Sequence, residues 1–136
     1  DFHQGYVLES IYEISRVLDI KNPQWEYALS NGLKFYIEKQ FHTEGWSFWR
    51  LPKIYPVEIH NQSQGIITLL KLKAYHPKAN DFAREIAEWT TKNMQGKDGH
   101  FYYQKFETHT HKISYMRWSQ AWMFLALTNL TLDKNE

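Results

Sequence analysis

The stretch from Tyr55 to Tyr75, YPVEIHNQSQGIITLLKLKAY, restricts the fold more than any other part of the chain. Polar and ionisable side chains (Glu58, His60, Asn61, Gln62, Gln64) crowd its first half. Gly65 then opens a nearly unbroken apolar run of Ile66, Ile67, Leu69, Leu70 and Leu72. A helix that is apolar on most of its faces is buried on most of its faces. This segment is therefore expected inside the molecule, its polar N-terminal end turned toward something that needs those groups. The design recurs twice. Gln4-Gly5 precedes Tyr6, Val7, Leu8, Ile11 and Ile14, and Gln120-Ala121 precedes Trp122, Met123, Phe124, Leu125 and Leu127.

Around these three stretches the chain divides into five predicted helices. The first spans 4–18, with Val7, Ile11, Ile14 and Leu18 on one stripe. Asn22-Pro23 is a start signal, an N-cap followed by proline at the first helical position. It opens a helix to about Phe41 with Trp25, Leu29, Leu33 and Tyr36 on its apolar side. Pro52 and Pro56 forbid a helix over 46–57, which reads as extended. The central helix covers 58–75. His76-Pro77 starts the fourth, which runs to Met94 with Ala79, Phe82, Ala83, Ile86, Ala87, Thr90 and Met94 on one face. The alternation in 100–113 suggests a short β-ribbon, and Ser114 is placed to cap a fifth helix to about Leu130. The third and fifth helices are expected to be more buried than the second and fourth, with Trp122 and Phe124 in the core.

Gln4, Gln64 and Gln120 recur at nearly even intervals, and Gly45-Trp46 and Gly99-His100 recur at an interval close to theirs. A repeat of about 55–60 residues with alternating inner and outer helices indicates an array of helical hairpins, since shorter solenoid repeats have periods nearer 34–47. The fold class expected is all-α, a partial α/α toroid of about five helices with short extended segments between hairpins, forming one domain over 1–136. The chain begins at Asp1 without Met and at the edge of a repeat motif, and so reads as the C-terminal fragment of a longer chain. The open ends of such an array call for cover, from the remainder of the chain or from a homo-oligomer.

Composition narrows the partners. A chain of 136 residues suffices to bury about two-thirds of its unfolded surface. Net charge is +1 without a Lys/Arg stripe, which gives nucleic-acid binding little support. Cysteine is absent, which excludes disulfides and thiolate metal sites and agrees with a cytoplasmic setting. No apolar run approaches the ~20 residues of a membrane span. Aromatic content of 17% is high, and aromatic side chains both fill wide cores and line sites that stack sugar faces.

At the turns, Gln95, Gly99 and Phe101 form Q-x3-G-x-F, similar to the Q-x3-G-x-W turn of terpenoid cyclases; Gln40, Gly45 and Trp46 form a looser version with one extra residue. More closely, YPVEIHNQSQGI, DGHFYYQ and KISYMRWSQAWMFLAL resemble the C-terminal part of an α/α-toroid family associated with bacterial surface-polysaccharide gene clusters. Some members of that family carry the label delta-aminolevulinic acid dehydratase. That label implies a β/α barrel with a Schiff-base lysine, and nothing in this helical repeat supports it. In related toroids, including the six-hairpin glycosidases and polysaccharide lyases, the active cleft lies at one end of the ring, between inner-helix ends and the loops that feed them. The resemblance thus implies a carbohydrate-active or sugar-binding domain of bacterial polysaccharide metabolism acting on an anionic saccharide. As an enzyme it would be of glycoside hydrolase, lyase or epimerase type. The alternative is a non-catalytic helical-repeat scaffold for protein–protein interaction.

The candidate catalytic residues are Glu58 and His60. Glu58 and Asp1 both stand just ahead of inner helices, and glycosidic cleavage needs two carboxylates across a cleft; a charge complementing a helix dipole is the competing reading. His60 suits a general base near neutral pH, with Tyr103 as acid, or a buried histidine satisfied by the neighbouring hairpin. For substrate binding, Arg117 and Trp118 offer a carboxylate fork and a stacking face, or else Arg117 is a strut to Glu58 or Glu107. Trp46 and Tyr103 belong to the feeding segments. Gln64 and Gln120 either line the site or build the repeat by bonding the adjacent turn. His109 and His111 share one side of a strand, and two ligands without a third make no metal site. No cofactor is called for.

Overall fold

The computed structural model describes residues 3–133, and these are mostly helical. Helix α1 (His3–Val17) and α2 (Pro23–Gln40) form one hairpin, and α3 (Ile59–Lys71) and α4 (Ala79–Met94) a second. A π-helical turn, Met116–Ala121, runs into α5 (Trp122–Asp133). Three two-residue strands make a small antiparallel sheet, β1 (Val57–Glu58), β2 (Gln104–Lys105) and β3 (Thr110–His111), with β2 in the middle. The expected ribbon is β2–β3. The third strand, drawn from the segment that leads into α3, makes the fold mostly helical rather than all-α.

Every residue from Ile59 to Leu70 is buried, because α1, α4 and α5 all pack on α3. Close approach of α1 depends on Gly5, where a Cβ would stand 2.5 Å from Thr68 Oγ1. Helix α4 buries the face that its periodicity marks, and α2 buries Leu29, Leu33 and Tyr36. Asn22 caps α2 as expected, its Oδ1 accepting from Gln24 N at 2.8 Å.

Two helices depart from the sequence reading. On α1 the buried line is Gly5, Leu8 and Ser15, while Val7, Ile14 and Leu18 are exposed. Gly5 faces α3 and Leu8 reaches Gly32 of α2, and these two contacts fix the rotation of the helix. On α5 only Met123 and Ala126 are buried; Phe124 is 74% exposed and Trp122 half-buried. An all-round apolar sequence becomes an all-round buried helix only where neighbours stand on every side. α3 has them, whereas α5 packs chiefly against α3 alone. Ser114 caps nothing; the π-helical turn follows Tyr115 without a side-chain cap.

The repeat is written in hydrogen bonds. In the turn after α2, His42 N donates to Trp46 O, Gly45 N to His42 O, and Phe48 N to Gln40 O. The turn after α4 repeats the set: Gly96 N donates to His100 O, Gly99 N to Gly96 O, and Tyr102 N to Met94 O. Gly45 (φ 89°) and Gly99 (φ 92°) occupy the left-handed position that such a turn demands. Each turn is gripped by a glutamine further along the chain, Gln62 in α3 and Gln120 in the π-helical turn before α5. Gln62 Oε1 accepts from Ser47 N (2.7 Å), and its Nε2 donates to Gly45 O (3.0 Å) and to Thr90 Oγ1 (2.7 Å). Gln120 Oε1 accepts from Phe101 N (2.9 Å), and its Nε2 donates to Phe101 O (2.8 Å). The repeat-building glutamines are therefore Gln62 and Gln120, and Gln4 precedes Gln62 by the same interval. Gln64 instead bonds Glu9 and Thr68.

Replacing Gln62 by leucine strands the Ser47 amide and the Gly45 carbonyl in a dry site, at an expected cost of about 2–4 kcal/mol. Phe124→Ala is expected to stay within about 0.5 kcal/mol, as for a surface change. Urea denaturation of both variants checks this; equal shifts would remove Gln62 from its role.

Candidate functional site

Glu58 ends β1 and stands at the N-cap of α3, yet its side chain makes no capping bond. Strand pairing with Gln104 and the bond from Ile59 N to Tyr103 O (3.1 Å) set the backbone so that the carboxyl turns inward. There Glu58 Oε1 accepts from Trp118 Nε1 at 2.7 Å. Oε2 is buried without a hydrogen-bond partner of ordinary geometry. The Glu58 side chain is almost wholly buried. Burial pushes its pKa up against the opposing pull of Trp118, Gln104 and Arg50. An isolated carboxylate is costly in such a place, and burial shifts the balance toward the acid form.

Two residues further on, in the first turn of α3, His60 is buried as deeply. Its Nε2 shares a 2.8 Å hydrogen bond with the Tyr6 hydroxyl of α1. Its ring meets Trp118 at 4.5 Å and Trp122 at 4.8 Å between centroids. Burial, aided by the charge of nearby His3, carries its pKa down to about 4. At neutral pH the cluster therefore holds an acid pushed toward its protonated form and an imidazole held neutral, both in contact with one indole. Tyr6 of α1, His60 of α3 and Trp122 of α5 meet here. Tyr103 stands beside them, half-buried and edge-on to Tyr115 at 5.0 Å, its phenol raised by burial and by the Glu58 charge.

The structure thus brings together Glu58, His60, Trp118 and Tyr103, but not the rest of the expected set. Arg117 is exposed, and among the described residues it forms no ion pair with Glu58 or Glu107. Trp46 stacks on His42 (4.7 Å) and Tyr55 (5.6 Å) in a separate aromatic group with Trp89 of α4. Gln64 and Gln120 are engaged by helix and turn. Asp1 lies outside the described residues. Among the described residues no three side chains form a metal-ligand group; His109 and His111 are 5.2 Å apart around Phe106.

Tyr6 and Trp122 are the site residues that the sequence reading missed as such. Both carry a signal once the repeat is counted from Gln62 instead of Gln64. His60 and Trp118 stand two positions before the turn-gripping Gln62 and Gln120, Trp122 stands two after Gln120, and Tyr6 stands two after Gln4 at the matching repeat position. Compared with known protein families, curated proteins and solved structures, the chain matches none.

The pH response of the fold follows from His60. Its proton affinity is lower in the folded state than the ordinary value of 6.5, so its contribution to stability is complete above that value. The contribution is lost as pH falls toward about 4, because the unfolded chain takes up the proton first. His60→Gln is expected to lose less Tm than the unsubstituted chain between these limits, by on the order of 5 °C. Parallel Tm–pH curves would show that His60 is not held neutral by the fold.

Proposed function

We propose that this chain is a carbohydrate-active α/α domain, a partial toroid whose site is the Glu58–His60–Trp118 cluster at the starts of the inner helices, serving bacterial polysaccharide metabolism. One observation carries the reading. Environment moves the acid Glu58 up and the base His60 down around a shared indole, the direction in which a general acid and a neutral base are tuned. Glu58 would protonate a departing glycosidic oxygen through Oε2, and His60 would take a proton from the sugar. Tyr6, Trp118, Trp122 and Tyr103 supply the aromatic walls on which a pyranose ring stacks. Trp118 rides on a π-helical turn, a feature that concentrates at functional sites. Three inner helices beginning on one side of the array support the toroid arrangement.

Tryptophan fluorescence titration with uronic-acid oligosaccharides, followed by product analysis, is the test. Glu58→Gln and His60→Gln are each expected to lower turnover by about 10²-fold or more while leaving binding within a few-fold. Binding without any turnover would leave a sugar-binding domain; no binding would remove the reading.

A second reading, a non-catalytic scaffold for protein–protein interaction, draws on α5. Its exposed Phe124, Leu125 and Leu132 stand beside a groove of about 470 Å³ lined by Phe101 and Leu127. Together they form an apolar face suited to a partner. Sedimentation of the unsubstituted chain and of Phe124→Glu distinguishes it, since a second copy seated there would be lost on charging the face.

A further inference from the structure

We infer that the groove between the end of α2 and α4 seats an amphipathic basic helix of a partner protein, held by carboxylates on both walls and by an apolar lining. The inference stands apart from the carbohydrate reading, because the groove and the Glu58 cluster have no residue in common.

Two cavities make up the groove. The larger, about 690 Å³, takes its apolar lining from Ile37, Phe41, Pro77 and Phe82, with Glu38 on the α2 side and Asp81 and Glu85 on the α4 side. The smaller, about 270 Å³, lies between the turn after α2 and the middle of α4, and adds Glu44, Glu88 and Trp89. Thr43 and Glu85 line both, so the two form one trough. It follows α4 from Lys78 to Lys92, roughly 20 Å of helix. That length suits several turns of a partner helix rather than one small molecule. The trough is also preformed. Gly45 presses so closely on α4 that a Cβ would stand 2.7 Å from the Glu85 carbonyl oxygen. The turn is thereby fixed on the helix, and a ligand is spared the cost of ordering it.

Charge names the occupant. Asp81, Glu85 and Glu88 stand at i, i+4 and i+7 of α4, on one side of that helix. Glu38 and Glu44 belong to the other wall. Against them stand Lys78, Lys92 and, when protonated, His76. Elsewhere the chain pairs such acids, Glu13 with Arg16 and Lys71, and Asp133 with Lys73 and Arg84. Here, among the described residues, Glu38, Asp81, Glu85 and Glu88 enter no ion pair. Like charges along one trough repel one another, and cations supplied by a partner at the same spacing relieve the repulsion and set the register. Trp89 adds an independent preference for a cation. Its indole lies among Glu44, Glu85 and Glu88, a setting of ring and carboxylate that an arginine or lysine head takes. The apolar lining asks in addition for an anchoring side chain on the same helix, which a polyamine lacks.

The probe is a synthetic labelled helix with lysines at i, i+4 and i+7 and leucines on the adjoining face. Its comparators are the same residues in scrambled order and the same helix with serine for leucine. Fluorescence anisotropy is expected to show saturable one-to-one binding of the probe that weakens as salt rises. Reversing charge with Asp81→Lys and Glu85→Lys together should weaken it about tenfold or more, whereas Glu107→Lys, outside the groove, should leave it within about twofold. All three side chains are exposed, so these variants are expected to keep the Tm of the unsubstituted chain within a few degrees. Equal affinity for either comparator overturns the inference, as does binding that survives the double reversal or no binding at all. Spermine displacing the probe as well, mole for mole, as unlabelled probe would make the trough a site for small cations and overturn it too.

Discussion

The architecture hangs on the amide of Gln62. A backbone turn that packs against a buried helix must have its N–H and C=O groups satisfied from somewhere, and water is excluded there. One side chain answers both needs: it accepts from Ser47, donates to Gly45, and reaches Thr90 on α4. Helix α3, the preceding turn and α4 are thereby locked by a single fully buried residue. Gly45 completes the fit, since a Cβ there would stand 2.7 Å from the carbonyl oxygen of Glu85. With α3 fixed at this point, the positions two and four places earlier, His60 and Glu58, come to rest against Trp118 without further adjustment.

That placement explains why the site is polar and yet closed. Both ionisable groups are nearly inaccessible, and each is supported by a neighbour from a different repeat unit: the indole of Trp118 for Glu58, the phenol of Tyr6 for His60. Glu58 Oε2 is buried without a hydrogen-bond partner of ordinary geometry, an arrangement that costs stability rather than adding to it. The same burial sets the two groups apart in proton affinity, so packing and chemistry here are one arrangement seen from two sides.

Much of this is legible in the residues themselves. The apolar face of α4 and the all-round burial of α3 follow directly from periodicity, because neighbours surround them in the way the pattern assumes. Periodicity says nothing about how many neighbours a helix has, and α5 and α1 went astray for that reason. The apolar stripe on α1 is real, but Gly5 and Leu8 decide which face turns inward. In the site, Glu58, His60 and Trp118 were readable from the repeat, although Gln64 was the wrong anchor. Arg117 looked promising by its neighbour in sequence, but its side chain is exposed, and periodicity does not say which way a residue of the π-helical turn faces.

The two gripping glutamines stand farther apart along the chain than the two turns they grip. The difference is absorbed between each turn and the glutamine that grips it, where the second unit carries the β2–β3 ribbon. Length can thus change in that link without altering how any helix is held, since both of its ends are pinned by the same amide-to-backbone clamp. The links also form the rim of the site. The glutamine clamps preserve the frame, and the strap between turn and clamp can lengthen or shorten without disturbing it.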